Sequence, residues 1–386
     1  MDYSQESLIL HKKLQWKLET VSKIHLKDTV DLSLAYSPWV AEPCRQIYKN
    51  RQTVYDYTIK SNTIAVISDG TAVLGLWDIW PEAALPVMEG KCVLFKQFAW
   101  VNAFPIVLAT KDTEEIIQTI KNIASWFGWI NLEDISAPRC FEIERRLNEE
   151  LDIPVFHDDQ HGTAIVTLAW LINSLKIVWK NKEDVKIVIN GVGAAWVAIA
   201  QLFLKYGVKD IIMVDSVGTI YKWRNDLNSA KLLLAESTNT ACLLNPDSHE
   251  CVKWWLQEAV VWRDVFVGVS KAWILTPEMI KTMNSEPIVF AMANPVPEIM
   301  PELAKASWVK IIATGRSDYP NQLNNVLVFP GIFKGALEKR INIITDDMKI
   351  RAAENIASLV DNLNVDNIIP SPFNLWLSEA VSKAIQ

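Results

Sequence analysis

One short unit between residues 185 and 215 constrains the fold more than any other part of the chain. An apolar run at 185–189 leads into the turn Gly191-Val192-Gly193, an apolar helix-forming stretch covers 194–206, and a second apolar run ends at Asp215. Strand, glycine turn, helix and second strand are the parts of a parallel βαβ unit that binds a dinucleotide. The first glycine makes the tight turn, and the second lets the backbone approach a pyrophosphate at the helix N-terminus.

The residues around this turn indicate which dinucleotide is bound. Asp215 would accept hydrogen bonds from the adenosine ribose, which favours NAD. Lys222 and Arg224 lie close enough in sequence to meet a 2′-phosphate, so NADP remains possible. Trp196 stands where the third glycine of the fingerprint belongs. The alternative interpretation is a plain βαβ unit that binds no cofactor.

Further apolar runs at 265–269, 288–292 and 309–313 alternate with helical stretches, as in a parallel sheet covered on both faces. Ser270, Asn294 and Thr314 follow or end these runs, at the sheet edge where such folds bind ligands. We predict an α/β chain in which a Rossmann-type doubly wound parallel sheet domain at 162–345 follows a smaller α/β N-terminal domain at 1–161. A C-terminal helical segment at 346–386 is predicted to pack on the first domain, and the polar segments 133–142 and 156–163 are predicted to be loops.

Composition narrows the class of protein. Half of the residues are apolar and 22% are charged, which is typical of a globular chain. The net charge of −7, without a long basic stretch, argues against nucleic-acid binding. We see no signal peptide and no apolar run of the roughly 18 residues that a membrane helix needs, so we expect a cytoplasmic protein without a membrane partner. Five scattered cysteines without a C-x-x-C pair favour free thiols in a reducing compartment.

Two acidic pairs, Glu133-Asp134 and Asp158-Asp159, stand beside apolar runs. Converging carboxylates suit a hard divalent cation such as Mg²⁺ or Mn²⁺, although each pair alone is more typical of a solvated loop. His157 and His161 have the spacing that could bind zinc on a helix. The segment lacks the glutamate that follows the first histidine in helical zinc proteases, and Gly162 disfavours a continuing helix, so we disfavour zinc.

At this point the residues match a family: the chain resembles the malic enzymes, in particular their short bacterial form, along nearly its whole length. The matching segments are SLAYSPWVAEPC (33–44), LGLWDIWPEA (74–83), EGK (89–91), INLEDI (130–135), FHDDQHGT (156–163), ANPVPE (293–298) and NNVLVFPG (324–331). The resemblance implies oxidation of L-malate by NAD(P)⁺, decarboxylation of the product to pyruvate, and a homodimer.

The resemblance also implies a role for each matching residue. Lys91 would be the base for the C2 hydroxyl, and Tyr36 would be the acid that protonates the enol carbon. Glu133, Asp134 and Asp159 would be metal ligands, and Asp158 would orient the site or tune Lys91. Asn294 and Asn325 would contact nicotinamide or substrate carboxylate. The chemistry agrees, because a divalent cation stabilises an enolate and a lysine whose pKa is lowered can act as base. Without the flanking matches, Tyr36 would be a half-buried aromatic residue and Lys91 a surface lysine. Larger relatives carry a substrate-binding arginine near Ala72; here it is absent, which leaves the group that binds the substrate carboxylate unassigned.

Two rival functions share these motifs. A malolactic-type enzyme would keep its NAD and release lactate from malate. A non-catalytic nucleotide-binding protein would be favoured if Trp80 and Trp196, which stand at family glycine positions, are present in the working protein.

The chain carries 17 tryptophans and only 13 glycines in 386 residues, about half the usual glycine content of ~7%. Tryptophan stands where the family has glycine at positions 39, 77, 80, 100, 129, 170, 196, 223 and 262, and we add 16, 273 and 308 to this set. An indole at such a site costs more than the roughly 1–3 kcal/mol of ordinary overpacking, against a total stability of about 5–15 kcal/mol. We hypothesise that the encoding organism reads UGA as glycine, whereas this sequence was translated with UGA as tryptophan. Deliberate substitution and decay to a pseudoenzyme are the rival explanations.

Overall fold

Two parallel sheets and the helices around them make up the fold in a computed structural model, which describes residues 3–73, 76–191, 193–248 and 251–386. Leu74 and Gly75 of one matched segment, and Val192 of the glycine turn, lie outside the described residues. The strands are β1 (Thr63–Ser68), β2 (Asn102–Val107), β3 (Trp129–Leu132), β4 (Val155–His157), β5 (Lys186–Gly191), β6 (Asp210–Asp215), β7 (Gly218–Thr219), β8 (Val265–Val269), β9 (Ile288–Ala291) and β10 (Ile311–Thr314).

The helices connect these strands and cover both sheets. They are α1 (Tyr3–Leu14), α2 (Thr29–Ala35), α3 (Ala41–Lys49), α4 (Val54–Tyr57), α5 (Pro81–Ala99), α6 (Thr113–Ile123), α7 (Arg139–Glu150), α8 (Asp158–Val178), α9 (Ala194–Tyr206), α10 (Ser229–Ala235), α11 (Thr240–Leu244), α12 (Leu256–Ala259), α13 (Pro277–Ile280), α14 (Pro301–Ala306), α15 (Phe329–Lys339), α16 (Asp346–Ser358) and α17 (Leu377–Lys383).

The second sheet has the strand order of a doubly wound dinucleotide-binding domain. Its order is β10-β9-β8-β5-β6-β7, and all neighbours are parallel except the short β7, which pairs antiparallel with β6. The order reverses at β5, which lies between β6 and β8 and carries the glycine turn at its carboxyl end. A sheet of this kind binds its ligand where the order reverses. The predicted α/β class with a Rossmann-type domain is confirmed.

The first sheet is smaller and has the order β2-β1-β3-β4, with all strands parallel. The four residues of β3 and the three of β4 are buried, and Leu132 pairs with His157 at their carboxyl ends. The two predicted acidic pairs directly follow these strands. The sheet therefore delivers both pairs to one edge of the N-terminal part.

Two segments predicted to be loops are partly regular. Helix α7 already begins at Arg139, inside the polar segment 133–142, and segment 156–163 consists of the end of β4 and the first turns of α8. Gly162 does not end the helix, contrary to the prediction. A Cβ atom at that position would collide with the Asp158 carboxylate, so the glycine makes room for an acidic side chain one turn earlier.

Helix α8 is the central element of the fold, and it crosses the predicted boundary at 161/162. It begins at the edge of the first sheet and packs along α9 of the nucleotide-binding part. By length and composition it could cross a membrane, but 78% of the apolar window is buried within the fold, as expected for a core helix. Asn173 donates from its amide to the carbonyl groups of Ala357 and Ile368 at 2.9 and 3.0 Å, which ties α8 to the C-terminal segment.

The C-terminal segment contacts both parts of the chain. Helix α16 packs on α8 and α9, while α17 packs on α15, which in turn lies against α5. The rings of Phe98 and Phe373 stand 5.8 Å apart and join this segment to the N-terminal part. The free-thiol prediction is wrong for Cys242 and Cys251, which form a disulfide in the structure. The short α11 and the turn after it bring these two cysteines together, a proximity that their scattered sequence pattern did not reveal.

Candidate active site

Lys91 is the centre of a buried group of charges. It lies on α5, is 8% exposed, and donates to Glu133 Oε1 at 2.7 Å and to Asp158 Oδ2. Its ammonium also stands 4.2 Å from the centre of the Phe329 ring, a cation–π contact at the start of α15. Three distant segments of the chain therefore converge on one ammonium group.

The electrostatics of this cluster differ from the prediction for Lys91. Burial acts to lower the pKa of Lys91, but the charges of Asp158, Glu133 and Asp159 outweigh burial and raise it above its ordinary value. The expected lowering of the lysine pKa is therefore wrong for this arrangement. Burial raises the pKa of Asp158 and of Asp159 to about 6 against the pull of Lys91, and it raises the pKa of Glu133 as well.

The carboxylates outnumber the cations at this edge of the sheet. Glu133 and Asp158 pair with the ammonium of Lys91, Asp159 adds a third negative charge near it, and Asp159 Oδ2 accepts from the backbone N–H of Asp134 at 2.8 Å. Within the described ranges, no three acidic, histidine or cysteine side chains are gathered into a metal-binding group. The donor chemistry nonetheless fits a hard divalent cation, because oxygen ligands with excess negative charge are what Mg²⁺ and Mn²⁺ prefer.

Glu144, which the sequence pattern did not single out, organises the start of α8. This buried carboxylate on α7 accepts from the backbone N–H of His157 at 2.8 Å, from Gln160 at 3.2 Å, and pairs with His161 Nε2 at 2.9 Å. Lys349 of α16 contacts the other ring nitrogen of His161 at 3.2 Å. His161 is thus held by a carboxylate and a lysine, and the disfavoured zinc hypothesis gains no support from it.

The pKa of Glu144 is lowered to about 2. Burial alone would raise it, but His161, through charge and a hydrogen bond, and the N–H of His157 outweigh burial. A carboxylate at a helix N-terminus is also stabilised by the helix dipole. Glu144 therefore fixes the first turn of α8, which carries Asp158 and Asp159. The helical spacing of Cys140, Ile143 and Leu147, all buried, marks the inner face on which Glu144 lies and was the available signal.

Asn131 was also missed. It lies on β3, is fully buried, and its amide donates to Glu133 Oε2 at 2.9 Å. Glu133 is therefore held on one oxygen by Asn131 and on the other by Lys91. This pair of contacts fixes the carboxylate in one orientation.

Tyr36 is the one proposed catalytic residue that the structure does not bring to the cluster. It ends α2, is 71% exposed, and none of the contacts among the described residues joins it to Lys91. Helices α1, α2 and α3 have no buried residue at all. This N-terminal surface exposes Leu10, Val30, Leu34 and Tyr36 to solvent.

Gly191 and Gly193, the two described residues of the glycine turn, differ in their surroundings. Gly191 ends β5, and a Cβ atom there would lie 2.6 Å from a side-chain methyl group of Val269, so no larger residue fits. Gly193 begins α9 and faces open space, with no atom within 4 Å of where its Cβ would be. The buried Trp196 follows on the inner face of α9.

Asp215 ends β6 as predicted, but its carboxylate already has partners. Arg224 donates to both oxygens, Lys231 donates to Oδ2 at 2.6 Å, and the N–H groups of Val217 and Gly218 donate to Oδ1 at 2.8 and 3.2 Å. Burial opposes these donors, yet they lower the pKa of Asp215 to about 2. A ribose hydroxyl would compete with Arg224 and Lys231 for this carboxylate, and Lys222 makes no contact with it.

The other strand ends carry polar groups at the same sheet edge. Asn294 is exposed just after β9, and Asn325 donates to Asp158 and accepts from Thr163 at 3.2 Å. Glu298, which sequence analysis did not single out, accepts from the N–H groups of Ser270 and Ala293 at 2.9 and 3.0 Å. Asn325 thus belongs to the Lys91 cluster, and Asn294 to the nucleotide edge.

Comparisons with known proteins identify the family of the chain. A family model described as malic enzyme, N-terminal domain, matches residues 15–148, and a model described as malic enzyme, NAD binding domain, matches residues 160–382. The chain is 54% identical over 388 residues to the bifunctional malic/malolactic enzyme of Bacillus subtilis (strain 168), which covers 100% of this chain and 92% of the relative. It is 55% identical over 387 residues to the NAD-dependent malic enzyme of Geobacillus stearothermophilus, and this match covers 100% of this chain and 78% of the relative.

A solved structure gives the same result for the fold. The crystal structure of an NAD-dependent malic enzyme from Thermotoga maritima superposes with a TM-score of 0.92 at 46% sequence identity, and the match covers 98% of both chains.

Replacing Glu144 with glutamine tests its role as the anchor of α8. We expect Glu144→Gln to lower the free energy of unfolding by about 1.5–3 kcal/mol at pH 7, the range for hydrogen bonds to a charged group. Because the folded-state pKa of Glu144 lies below its ordinary value of 4.5, this stabilisation is complete above pH 4.5 and is lost as pH falls toward 2.

The measurement is urea denaturation of both proteins at several pH values from 7 downward, with the exposed Glu142→Gln on the same helix as control. The difference in free energy of unfolding between wild type and Glu144→Gln, which is the gap to be followed, should decrease as the pH falls. A gap that is constant across this range would contradict an ionised Glu144.

Proposed function

Because the chain belongs to the malic enzyme family, we propose that it oxidises L-malate with NAD(P)⁺ and decarboxylates the product to pyruvate and CO₂. The observation that carries this proposal is the buried Lys91 cluster at the strand ends of the first sheet, in a chain whose second sheet has a glycine turn at the end of β5. The enzyme is an oxidoreductase. The malolactic alternative, release of lactate, is not favoured by any contact in the site.

We assign the proton transfers to two residues of this chain. Lys91 is the group placed to take the proton of the C2 hydroxyl as hydride leaves C2, and Asp158 and Glu133 hold its amine in position. Tyr36 is the proton donor to C3 after the C3–carboxylate bond breaks and its electrons pass to the enolate. When bound, the nicotinamide would accept the hydride and a divalent cation would stabilise negative charge on the substrate oxygen.

Glu133, Asp134 and Asp159 are the side chains that would hold Mg²⁺ or Mn²⁺. The raised pKa values of Glu133 and Asp159 reflect burial and mutual repulsion in a cluster with too few positive charges. A cation on these carboxylates would offset the charges that raise the pKa of Lys91. The pKa of Lys91 would then fall, and a lysine that acts as a general base requires a lowered pKa.

The natural form is proposed to be a homodimer in the cytoplasm. The part of the chain that the structure describes buries no residue of α1 to α3, and a second copy of this chain would cover their apolar residues. Tyr36 lies on this surface, so we place its hydroxyl in the Lys91 site of the second subunit. The site would then be complete only in the dimer.

The cofactor is proposed to be NAD, with NADP accepted. Asp215 at the end of β6 supports NAD, as in other dinucleotide-binding folds. Arg224 and Lys231 beside it supply two positive charges that could meet a 2′-phosphate. The two cations, rather than Asp215 alone, would then set how much NADP is used.

Conservative substitutions test the two proton-transfer roles. Lys91→Arg keeps the positive charge but cannot be deprotonated, and Tyr36→Phe lacks only the hydroxyl. We expect each to lower kcat by about 10²–10⁴-fold while NAD binding is retained, because general acid–base catalysis contributes roughly that much. Steady-state kinetics with the exposed Lys111→Arg as control give the comparison. A Lys91→Arg enzyme with wild-type kcat would contradict the assignment of the base.

Mixing the two inactive variants tests where Tyr36 acts. If Tyr36 of one subunit serves Lys91 of the other, unfolding and refolding Lys91→Arg and Tyr36→Phe proteins together should restore part of the activity in mixed dimers. Each variant refolded alone is the control. An inactive mixture that native mass spectrometry shows to contain mixed dimers would place Tyr36 in the site of its own subunit.

A single substitution beside Asp215 tests the cofactor proposal. Arg224→Ala should lower kcat/KM for NADP by about 10- to 150-fold more than for NAD, since a hydrogen bond to a charged group contributes about 1.5–3 kcal/mol. The exposed Arg145→Ala serves as control. An equal loss with both cofactors would show that Arg224 only supports the fold of this loop.

A further inference from the structure

Seven of the 17 tryptophans have a backbone conformation that favours glycine. Their φ angles lie between 55° and 72°, in the left-handed region that bulky residues rarely adopt. They make up half of the 14 non-glycine residues with positive φ among the described residues: Trp77, Trp80, Trp100, Trp179, Trp262, Trp273 and Trp308. Six of these were named from the sequence, and Trp179 was not.

Three of them end helices in the way that glycine does. Trp100 and Trp179 are the left-handed caps of α5 and α8, and Trp308 follows α14. After each, the next N–H donates back to a carbonyl group near the helix end, to Phe95 six residues earlier and to Leu175 and Ala304 five residues earlier, at 3.2–3.4 Å. This pattern of backbone bonds around a left-handed residue is the helix ending at which glycine is strongly enriched.

Trp80 has the most restrictive backbone of the seven. Its φ of 56° and ψ of 159° place it at the border of a region that is essentially limited to glycine. Its carbonyl oxygen would also lie 2.7 Å from a Cβ atom built on Gly70, so the two segments approach closely here. The turn that leads into α5, and hence to Lys91, therefore requires a residue without a side chain.

The indoles of these seven residues contribute little packing. Each residue is between 59% and 92% exposed, although a tryptophan is normally among the more buried residues of a protein. A hydrogen atom in place of each indole would remove little buried surface and would relieve the backbone. The backbone conformation and the high exposure of the side chains therefore both indicate glycine at these seven positions.

The fully buried tryptophans give a second, independent indication. Trp129, Trp170 and Trp196 are at most 1% exposed, and in each the indole Nε1–H has no hydrogen-bond acceptor among the described residues. A buried indole normally finds a partner for this group. Trp196 also stands at the third position of the glycine turn, where close packing of helix on strand requires a small residue.

Trp126 differs from the seven residues at positive φ in its backbone conformation, and from the three buried residues in being 45% exposed. It has no positive φ, and its ring packs against Phe104 at 4.8 Å and against Phe127 at 4.4 Å. Glycine would lose these two aromatic contacts. Trp126 therefore serves as an internal standard for a genuine tryptophan.

We infer that these ten tryptophans are glycines in the protein as its host makes it, with UGA codons that the host reads as glycine. UGA and the glycine codon GGA differ only in the first base, so one reassigned codon accounts for all ten exchanges. Trp16, Trp39 and Trp223 were named from the sequence alone, and their backbone conformations do not select glycine.

Peptide sequencing by mass spectrometry tests this inference independently of any activity. Protein isolated from its native host is digested, and the peptides that contain positions 80, 100, 126, 179 and 196 are fragmented. We expect glycine at 80, 100, 179 and 196, tryptophan at 126, and UGA codons at the four glycine positions. Tryptophan at 80, 100 and 179, or UGG codons there, would overturn the inference.

Thermal unfolding of recombinant variants gives a second readout. Starting from a chain with tryptophan at every position, Trp100→Gly and Trp179→Gly should each raise Tm, because glycine adopts positive φ without strain. Trp126→Gly should lower Tm through loss of its ring contacts. A lower Tm for Trp100→Gly and Trp179→Gly would overturn the inference.

Discussion

The ion pairs of Lys91 with Glu133 and Asp158 are the interaction on which the site depends. A buried ammonium is stable only if its charge is balanced, and buried carboxylates are stable only if they are paired. This mutual requirement joins α5, the end of β3 and the start of α8 at one point. Glu144 supports the arrangement from α7, because it fixes the first turn of α8 from which Asp158 and Asp159 extend.

A second constraint is the backbone, which must turn sharply where helices and strands approach the site. Such turns need residues at positive φ, and in this chain tryptophan repeatedly stands there. The turn at Trp80 leads directly into the helix that carries Lys91, and Trp196 lies in the helix that begins at the nucleotide turn. Glycine at these positions reconciles a family fold with a sequence that otherwise carries strained backbone and unsatisfied indoles.

The sequence predicted the nucleotide-binding sheet well, because strands buried on both faces are apolar runs and the glycine turn marks the point of reversal. Helix α9 and strand β8 have the predicted bounds. It did not predict that α8 continues through Gly162, since the space taken by the Asp158 carboxylate is a tertiary contact. For the same reason it missed Glu144, and it did not reveal that Arg224 and Lys231 pair with the Asp215 carboxylate. Tertiary partners decide whether a carboxylate binds a ligand or another side chain.

The most direct test is to measure the products of L-malate with protein from the native host, supplied with NAD⁺ and Mg²⁺ or Mn²⁺. Pyruvate and NADH are quantified in the same reaction, and lactate is measured beside them. The proposed function predicts equal amounts of pyruvate and NADH, both abolished by a chelator. Lactate formed without net NADH, or no consumption of malate, would contradict it.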